Sequence, residues 1–583
     1  MTRIGAIILF LLAATNGWAN VSDWQDLGSI THNNAASNLQ ARSTSTNASP
    51  LQQYRRMLLN EESLRSSLNQ AASSATNAQG RTAITTISLP LPDGSFAAVT
   101  ATPTQVLAPE IAAQHPEIQT WQVLGTDGKT LSGVIDFTTL GFHAMLDMPN
   151  GDTVFIDPQE SNGQREYATF SKRNNATAFQ QKWTCSTHGK SSFRDLSSIM
   201  PDTSSAARNT AAKAGETLHT YRIAIASTAE FTSAKGGKTA THSSIVSTVN
   251  RINQIFQRDL SIKLTLVSGE NTVFTDTATD GYTNNDPEKM LLENIAVLNT
   301  IIGSNAYDIG HVFGTLGGGL AYLGSTCSTY KASGVTGLIA SNDAFDIDYV
   351  AHEIGHQFDA DHTFNSVLGS CGGGRIQASA YEPGSGSTIM GYTGLCNGDD
   401  LQANSDAMFH AASIAQITAF AHDGAGKNCA TSSPLINSKT ASNNRNPVVD
   451  AGADFSVTVG QSFTLNGSAS DADGDTLSYS WEQMDAGTAS TVGVDTGDNA
   501  LIRANLPLDG PMRIITGTLP STIRTLNFRL VVRDQQGGVG FDDMRITTVA
   551  SSDGGGGGGS FPLIWILPGA LYLLLRRRKG TYP

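Results

Sequence analysis

His352-Glu353-Ile354-Gly355-His356-Gln357-Phe358-Asp359-Ala360-Asp361-His362 is the stretch that decides how this chain is read. Histidines at i and i+4 lie on one face of a helix about one turn apart, so both imidazoles can reach one metal ion. Glu353 follows the first histidine, where its carboxylate can hold and deprotonate a metal-bound water. His362 stands six residues beyond His356, far enough for a chain leaving the helix to fold back and bring a third nitrogen. Three protein ligands with an open fourth position are the arrangement of a catalytic zinc site, whereas structural zinc is closed by four.

The rest of the chain bounds what surrounds that site. It has 583 residues, enough for three or four domains, with 39% hydrophobic and only 15% charged residues and 58 glycines. This is a globular, loop-rich composition. The net charge of -14 argues against a nucleic-acid partner. Solubility accounts for that acidity more simply than acidic calcium sites do.

Both ends carry export signals. Arg3, the apolar run Ile4 to Ala14 and the small-x-small Gly17-Trp18-Ala19 read as a signal peptide over 1–19. Export makes disulfides available. At the other end, over 551–583, the unbroken glycines 554–559 precede the apolar stretch Phe561 to Leu575 and the basic Arg576-Arg577-Arg578-Lys579. As a helix that stretch spans roughly 22 Å, short for a permanent anchor. The basic cluster holds the C-terminus on the cytoplasmic side. Glycines, short apolar helix and basic tail together resemble the GlyGly-CTERM sorting signal. That resemblance implies a Gram-negative source, transient membrane anchoring of the precursor, removal of the tail by a rhombosortase-type intramembrane protease, and type II secretion to the exterior or cell surface. A simple C-terminal anchor is the plainer alternative.

Between the ends, residues 20–217 read as a pro-region. Leu51 to Leu68 predicts one helix, and Ile84 to Pro158 predicts short strands separated by turn residues, a β-rich domain. Thr203 to Glu216 reads as an exposed linker with Arg208 and Lys213 as processing points. Over 218–430 strands and helices alternate, which predicts a mixed α/β domain. Its strands are His219 onward, Ile262 onward and Tyr307 onward; its helices are Ser243 to Leu260, Pro287 to Ile302 and, around the histidines, Asp346 to Asp361. Gly317 to Leu323 predicts an edge strand that aligns a substrate backbone, or else a flexible glycine loop. Residues 431–446 are a polar linker. Residues 447–550 give the short alternating strands of an Ig-like β-sandwich.

Met390 lies 28 residues after His362, in Ser387-Thr-Ile-Met390-Gly-Tyr392. An extended zinc motif followed by a methionine turn resembles the metzincin proteases. Gly318-Gly-Leu-Ala-Tyr-Leu-Gly-Ser-Thr-Cys327 before the motif and His362-Thr-Phe-Asn after it bring the resemblance closest to bacterial reprolysin-like members. The resemblance implies a zinc endopeptidase acting on protein or peptide substrates, with Zn²⁺ on His352, His356 and His362 and Glu353 as the base that activates the zinc-bound water. Met390 is then a soft apolar floor. Tyr392 is either a transition-state stabiliser or packing beneath the turn. Two positions depart from the family pattern. Asp359 stands where a glycine is usual, at a turn that favours φ > 0, a conformation Asp also tolerates. Thr363 stands where an acidic residue is usual. Other histidines, among them His311, His410 and His422, read as core or surface residues.

Five cysteines complete the inventory. Cys327, Cys371, Cys396 and Cys429 fall in the catalytic segment and allow three pairings. The reprolysin resemblance implies Cys327–Cys429 and Cys371–Cys396. Cys185, in the pro-region, is left over. Either its thiolate fills the open zinc position and keeps the enzyme latent, or it is a plain free thiol. In the C-terminal module Asn446-Pro-Val-Val-Asp-Ala-Gly, Leu465-Asn-Gly-Ser-Ala-Ser-Asp471 and Tyr479-Ser-Trp481 resemble PKD or cadherin-like domains, which space catalytic domains from surfaces or bind polymers. There Asp471, Asp473 and Asp475 form either a Ca²⁺ site or a polar turn. The competing reading of the whole chain is a cell-surface adhesion or binding protein built on an inactive peptidase-like scaffold. The intact Glu353 argues against it.

Overall fold

The computed structural model describes residues 23–31, 51–73, 85–161, 164–175, 185–188, 215–337 and 344–551. The segments predicted to be a signal peptide and a C-terminal sorting tail, and most of the predicted Thr203–Glu216 linker, lie outside these residues. Among the described residues no helix is long and apolar enough to cross a membrane.

The N-terminal region is an antiparallel sheet of nine strands: β1 (Trp24–Thr31), β2 (Gln53–Leu59), β3 (Thr85–Pro90), β4 (Phe96–Thr104), β5 (Gln119–Gly125), β6 (Ser132–Thr138), β7 (Gly141–Asp147), β8 (Thr153–Ser161) and β9 (Gln164–Ser171). Their order is β1-β2-β9-β8-β7-β6-β5-β4-β3. The single helix expected over Leu51 to Leu68 is instead β2 followed by helix α1 (Glu61–Ser73). Met57 is buried between half-exposed neighbours on β2, while Asn60 turns the chain and accepts the Ser63 amide at 3.1 Å. An asparagine ahead of two glutamates is a helix start, and it divides the segment there. A short helix α2 (Pro109–Ala112) leads out of β4.

The catalytic region is built on a mixed sheet of β10 (Cys185–His188), β11 (Thr217–Ser227), β12 (Ile262–Leu266), β13 (Ile309–Gly314), β14 (Gly318–Tyr322), β15 (Gly334–Gly337) and β16 (Thr431–Pro434). The order is β10-β14-β15-β13-β11-β12, with β16 antiparallel to β11. Thus part of the expected polar linker is a sheet strand. The helices are α3 (Ala229–Ala234), α4 (Lys238–Leu260), α5 (Pro287–Ile301), α6 (Ala351–Gln357) and α7 (Ala411–Thr418). Helix α4 is buried along nearly its whole length. Its Ile245, Val249, Ile252 and Phe256 join one core with Val134, Met145 and Phe155 of the N-terminal sheet and Val531 of the C-terminal region.

The C-terminal region is β-sandwich-like, with β17 (Val448–Asp450), β18 (Phe455–Thr458), β19 (Phe463–Asn466), β20 (Ser468–Ser470), β21 (Ser478–Gln483), β22 (Met512–Ile515), β23 (Thr525–Arg533) and β24 (Val539–Val549). The main sheet runs β18-β24-β23-β21; β19 pairs β22 and β17 pairs β20. Trp481 and Phe528 fill its core. Three regions meet at one buried ionic knot. Arg258 contacts Asp147 at 2.9 Å and Asp259 at 2.8 Å, and Arg533 reaches Asp259 at 2.8 Å. Breaking such a buried pair from one side costs about 3–5 kcal/mol, because the partner charge stays desolvated. The C-terminal module is therefore packed against the region that carries the histidines.

Candidate metal centre

The segment that carries the histidines is shorter as an α-helix than its sequence suggests. Phe345–Val350 winds as a π-helical turn, and α6 continues to Gln357. Buried ion pairs anchor the approach: Arg251 to Asp346 at 2.9 Å, and Lys172 of the N-terminal region to Asp348 at 2.8 Å. The chain leaves α6 through Asp359, whose φ is 71°. That left-handed turn, held at a cost of about 1 kcal/mol in a non-glycine residue, sends Ala360 back under the helix and presents His362.

The three histidines converge. His356 Nε2 lies 3.1 Å from His352 Nε2 and 3.0 Å from His362 Nε2. Each ring is held from behind by a backbone carbonyl: His352 Nδ1 at 2.6 Å from Ile389 O, His356 Nδ1 at 2.7 Å from Ala360 O, and His362 Nδ1 at 2.7 Å from Gly374 O. A carbonyl can only accept, so every Nδ1 carries the proton and every Nε2 faces the centre with a lone pair. Burial pushes His352 down to about 4; burial, with neighbouring rings added, pushes His362 down to about 3 and His356 well below the ordinary histidine range. The rings are therefore neutral near pH 7. Three neutral nitrogens aimed at one point repel one another, and a cation relieves that repulsion. In tetrahedral zinc sites such nitrogens stand about 3.3 Å apart, given Zn–N of about 2.0–2.1 Å. The donor set fits zinc. The backbone acceptors behind each ring are the outer partners that fix ligand orientation.

The other predicted residues fall around this point. Glu353 is fully buried on α6. Its carboxylate lies against Gly319 of β14, where any Cβ would collide with it. Met390 is fully buried, and its sulfur sits under the helix at Gly355, where a Cβ would come within 2.7 Å of Sδ. Tyr392 packs edge-on to His362 at 4.5 Å between ring centroids and tilts against Phe364 at 4.4 Å. His311 is a core residue: Nδ1 meets Gln357 Oε1 at 3.0 Å and Nε2 meets Thr336 Oγ1 at 2.8 Å. His410 and His422 are buried as well. Disulfides join Cys327 to Cys429 and Cys371 to Cys396. The second of these braces the loop between His362 and Met390.

Strand β14 was expected at the sheet edge, yet β10 of the N-terminal segment pairs with it in parallel, Cys185 opposite Gly319 and His188 opposite Tyr322. The edge is thus occupied by the protein's own chain, with Cys185 in register with the glycine that touches Glu353. Four residues of strand carry no periodicity, so the sequence alone offered no sign of this pairing.

Asp471, Asp473 and Asp475 also gather, with ligand atoms within 4.8 Å of one another. Their environment differs. Arg445 contacts Asp473 at 2.8 Å, Asp471 Oδ1 accepts the amides of Asp473 and Asp475 at 2.8 and 3.0 Å, and Asn437 donates to Asp475.

Three pinned imidazoles beside a buried glutamate on one helix, over a strand that can take another strand, define a metal-dependent peptidase. Consistent with this, residues 217–421 match the family model described as Metallo-peptidase family M12B Reprolysin-like, and residues 451–548 match a family model of a PKD domain. The chain carries a reprolysin-like metallopeptidase domain followed by a PKD domain. A comparison with curated proteins finds no match. Among solved structures, a nucleoside hydrolase-related hypothetical protein from Saccharophagus degradans is similar at 22% identity. The match covers 19% of this chain and 28% of that one with a TM-score of 0.13, too loose to bear on fold or function.

Proposed function

We propose that this protein is a secreted zinc endopeptidase made as a zymogen, which hydrolyses peptide bonds of extracellular proteins. The observation that carries the reading is the convergence of three carbonyl-pinned Nε2 atoms beside the buried carboxylate of Glu353. His352, His356 and His362 hold the metal. Bound zinc supplies a Lewis acid that polarises the scissile carbonyl and lowers the pKa of water toward 7. Glu353 takes the proton from the attacking water and delivers it to the leaving amine. Strand β14 aligns the substrate backbone by strand addition. Tyr392, beside His362, stabilises the developing oxyanion.

Latency is supported by β10, because a segment already paired to β14 competes with substrate for the same backbone groups. In this reading Cys185 brings a thiolate toward the metal. Activation requires cleavage C-terminal to β10 and release of that strand. The export signals at 1–19 and 551–583 extend the reading to a Gram-negative exterior, with tail processing by a rhombosortase-type protease after transient anchoring. Calcium, if the C-terminal module takes it, binds at Asp471, Asp473 and Asp475 in competition with Arg445.

A casein assay on the full chain, before and after limited proteolysis, tests the reading. Cleavage should appear on nicking, vanish with a chelator and return with added zinc. Chelator-insensitive cleavage, or none after nicking in zinc-loaded protein, rejects it. Latency unchanged in Cys185→Ala removes the thiol from the account and leaves strand occupancy as the cause.

A further inference from the structure

Beyond the three ligands and Glu353, a second carboxylate near the site is fully buried. Glu382 accepts five hydrogen bonds, all from two short segments. Oε1 takes Thr363 Oγ1 at 2.6 Å and Thr388 Oγ1 at 2.5 Å. Oε2 takes Ser387 N at 2.7 Å, Thr388 N at 3.2 Å and Ser387 Oγ at 3.2 Å. Glu382, Thr363, Ser387 and Thr388 all have no exposed surface. A buried carboxylate with that many donors is fixed in place. Its backbone adds to the clamp, since the Glu382 amide donates to Thr363 O at 2.8 Å and the Thr363 amide donates to Met390 O at 3.1 Å.

What the two segments do gives the clamp its meaning. Thr363 is the neighbour of His362. Ser387 and Thr388 lead directly into Ile389, whose carbonyl orients His352, and into Met390 beneath α6. One side chain therefore ties the third ligand to the turn that aims the first. We propose that Glu382 is a positioning residue for the metal centre: it sets the angle between His352 and His362 and so the affinity and geometry of the site, without touching metal or substrate. This rests on the reading of the three histidines as ligands, but not on the protein being a protease.

Glutamine at this position keeps the shape and removes half of the acceptor capacity. Its amide nitrogen can face only the two threonine hydroxyls, which then accept instead of donating, so two short hydroxyl-to-carboxylate bonds give way to longer amide-to-hydroxyl ones and the clamp slackens. Loss of such an outer partner lowers metal affinity about 10–100-fold. Adding Thr363→Asp to Glu382→Gln reverses the polarity of the contact. The introduced glutamine then accepts from the turn and donates to the introduced carboxylate, and the buried charge is kept.

Zinc retention in the full chain, timed against a chelating dye, and the visible spectrum of the cobalt-substituted protein test this. For Glu382→Gln the expectation is zinc release at least about ten-fold faster, an altered cobalt spectrum, and in the nicked enzyme a lower kcat with KM nearly unchanged. The double variant Thr363→Asp/Glu382→Gln should recover slow release and the wild-type spectrum. Wild-type release and spectrum in a folded Glu382→Gln, or no recovery in a folded double variant, overturn the proposal. If Glu382→Gln does not fold, Thr363→Val decides, since it removes only the bond to the ligand-bearing segment: faster zinc release supports the clamp and unchanged release refutes it. Wild-type protein that binds zinc yet cleaves nothing would sink the peptidase reading and leave this one standing.

Discussion

Among the described residues two clusters of metal-type donors stand out, and they are held in opposite ways. Around His352, His356 and His362 the protein engages the back of every ring, with a carbonyl on each Nδ1, and points every Nε2 at one centre. Around Asp471, Asp473 and Asp475 it engages the donors themselves, with amides, Asn437 and the Arg445 guanidinium. The first arrangement is costly until a cation arrives; in the second most donor oxygens already have protein partners, Asp471 Oδ2 being the exception. Counting acidic or imidazole groups does not separate the two, whereas asking what holds each donor does.

The largest test of that difference removes one donor from each. His362→Ala should abolish stoichiometric zinc and all cleavage, measured by metal analysis after dialysis and by casein digestion. Asp473→Ala should change neither. Equal loss in both would erase the distinction.

The two regions should also answer pH with opposite sign. In the folded metal-free protein His352 and His362 titrate near 4 and near 3, below the ordinary 6.5. The unfolded chain takes up those protons first, so this stability is complete above pH 6.5 and is lost as pH falls toward 4. Near the acidic cluster, burial raises the Asp534 carboxyl from 3.8 to about 7, with Asp475 adding to the rise. The folded chain keeps a proton that the unfolded chain has lost, so this stability is complete below pH 3.8 and is lost as pH rises through 7. Melting the metal-free protein from pH 4 to 8 should show the acid-side loss in wild type and in Asp534→Asn, and the alkaline-side loss in wild type alone. Parallel curves for the two proteins would contradict the Asp534 assignment.

The smallest effect belongs to Arg445, a largely exposed side chain. Arg445→Ala should leave the melting temperature without calcium unmoved, as exposed ion pairs contribute little. If calcium binds at Asp473, it should bind more tightly once its competitor is gone. Calorimetric titration of both proteins reads this directly, and equal heats in the two remove calcium from the account.

Much of this was legible in the chain itself, for a physical reason. Helix-spaced histidines, a glutamate beside the first and a methionine downstream are a pattern of residue types at fixed separations, and local geometry carries it into space. Asp359 could be read as a φ > 0 position because few residues tolerate one. Glu382 could not be read, since it sits alone in Tyr381-Glu-Pro-Gly with no period and finds its donors only when the loop closes on Thr363. The one available signal was negative: Thr363 offers a hydroxyl where a carboxylate is usual, which leaves a carboxylate to be sought elsewhere. Strand β10 and the Arg258–Asp259–Arg533 knot were equally hidden, because each joins segments distant in sequence.

The central claim is that Glu353 is the base of a metal-dependent peptidase, and it is tested most directly by the casein cleavage rate of nicked Glu353→Ala protein carrying a full equivalent of zinc. The account predicts a rate lower than wild type by at least about 10²-fold with zinc content unchanged. Cleavage at the wild-type rate in that zinc-loaded variant would contradict it.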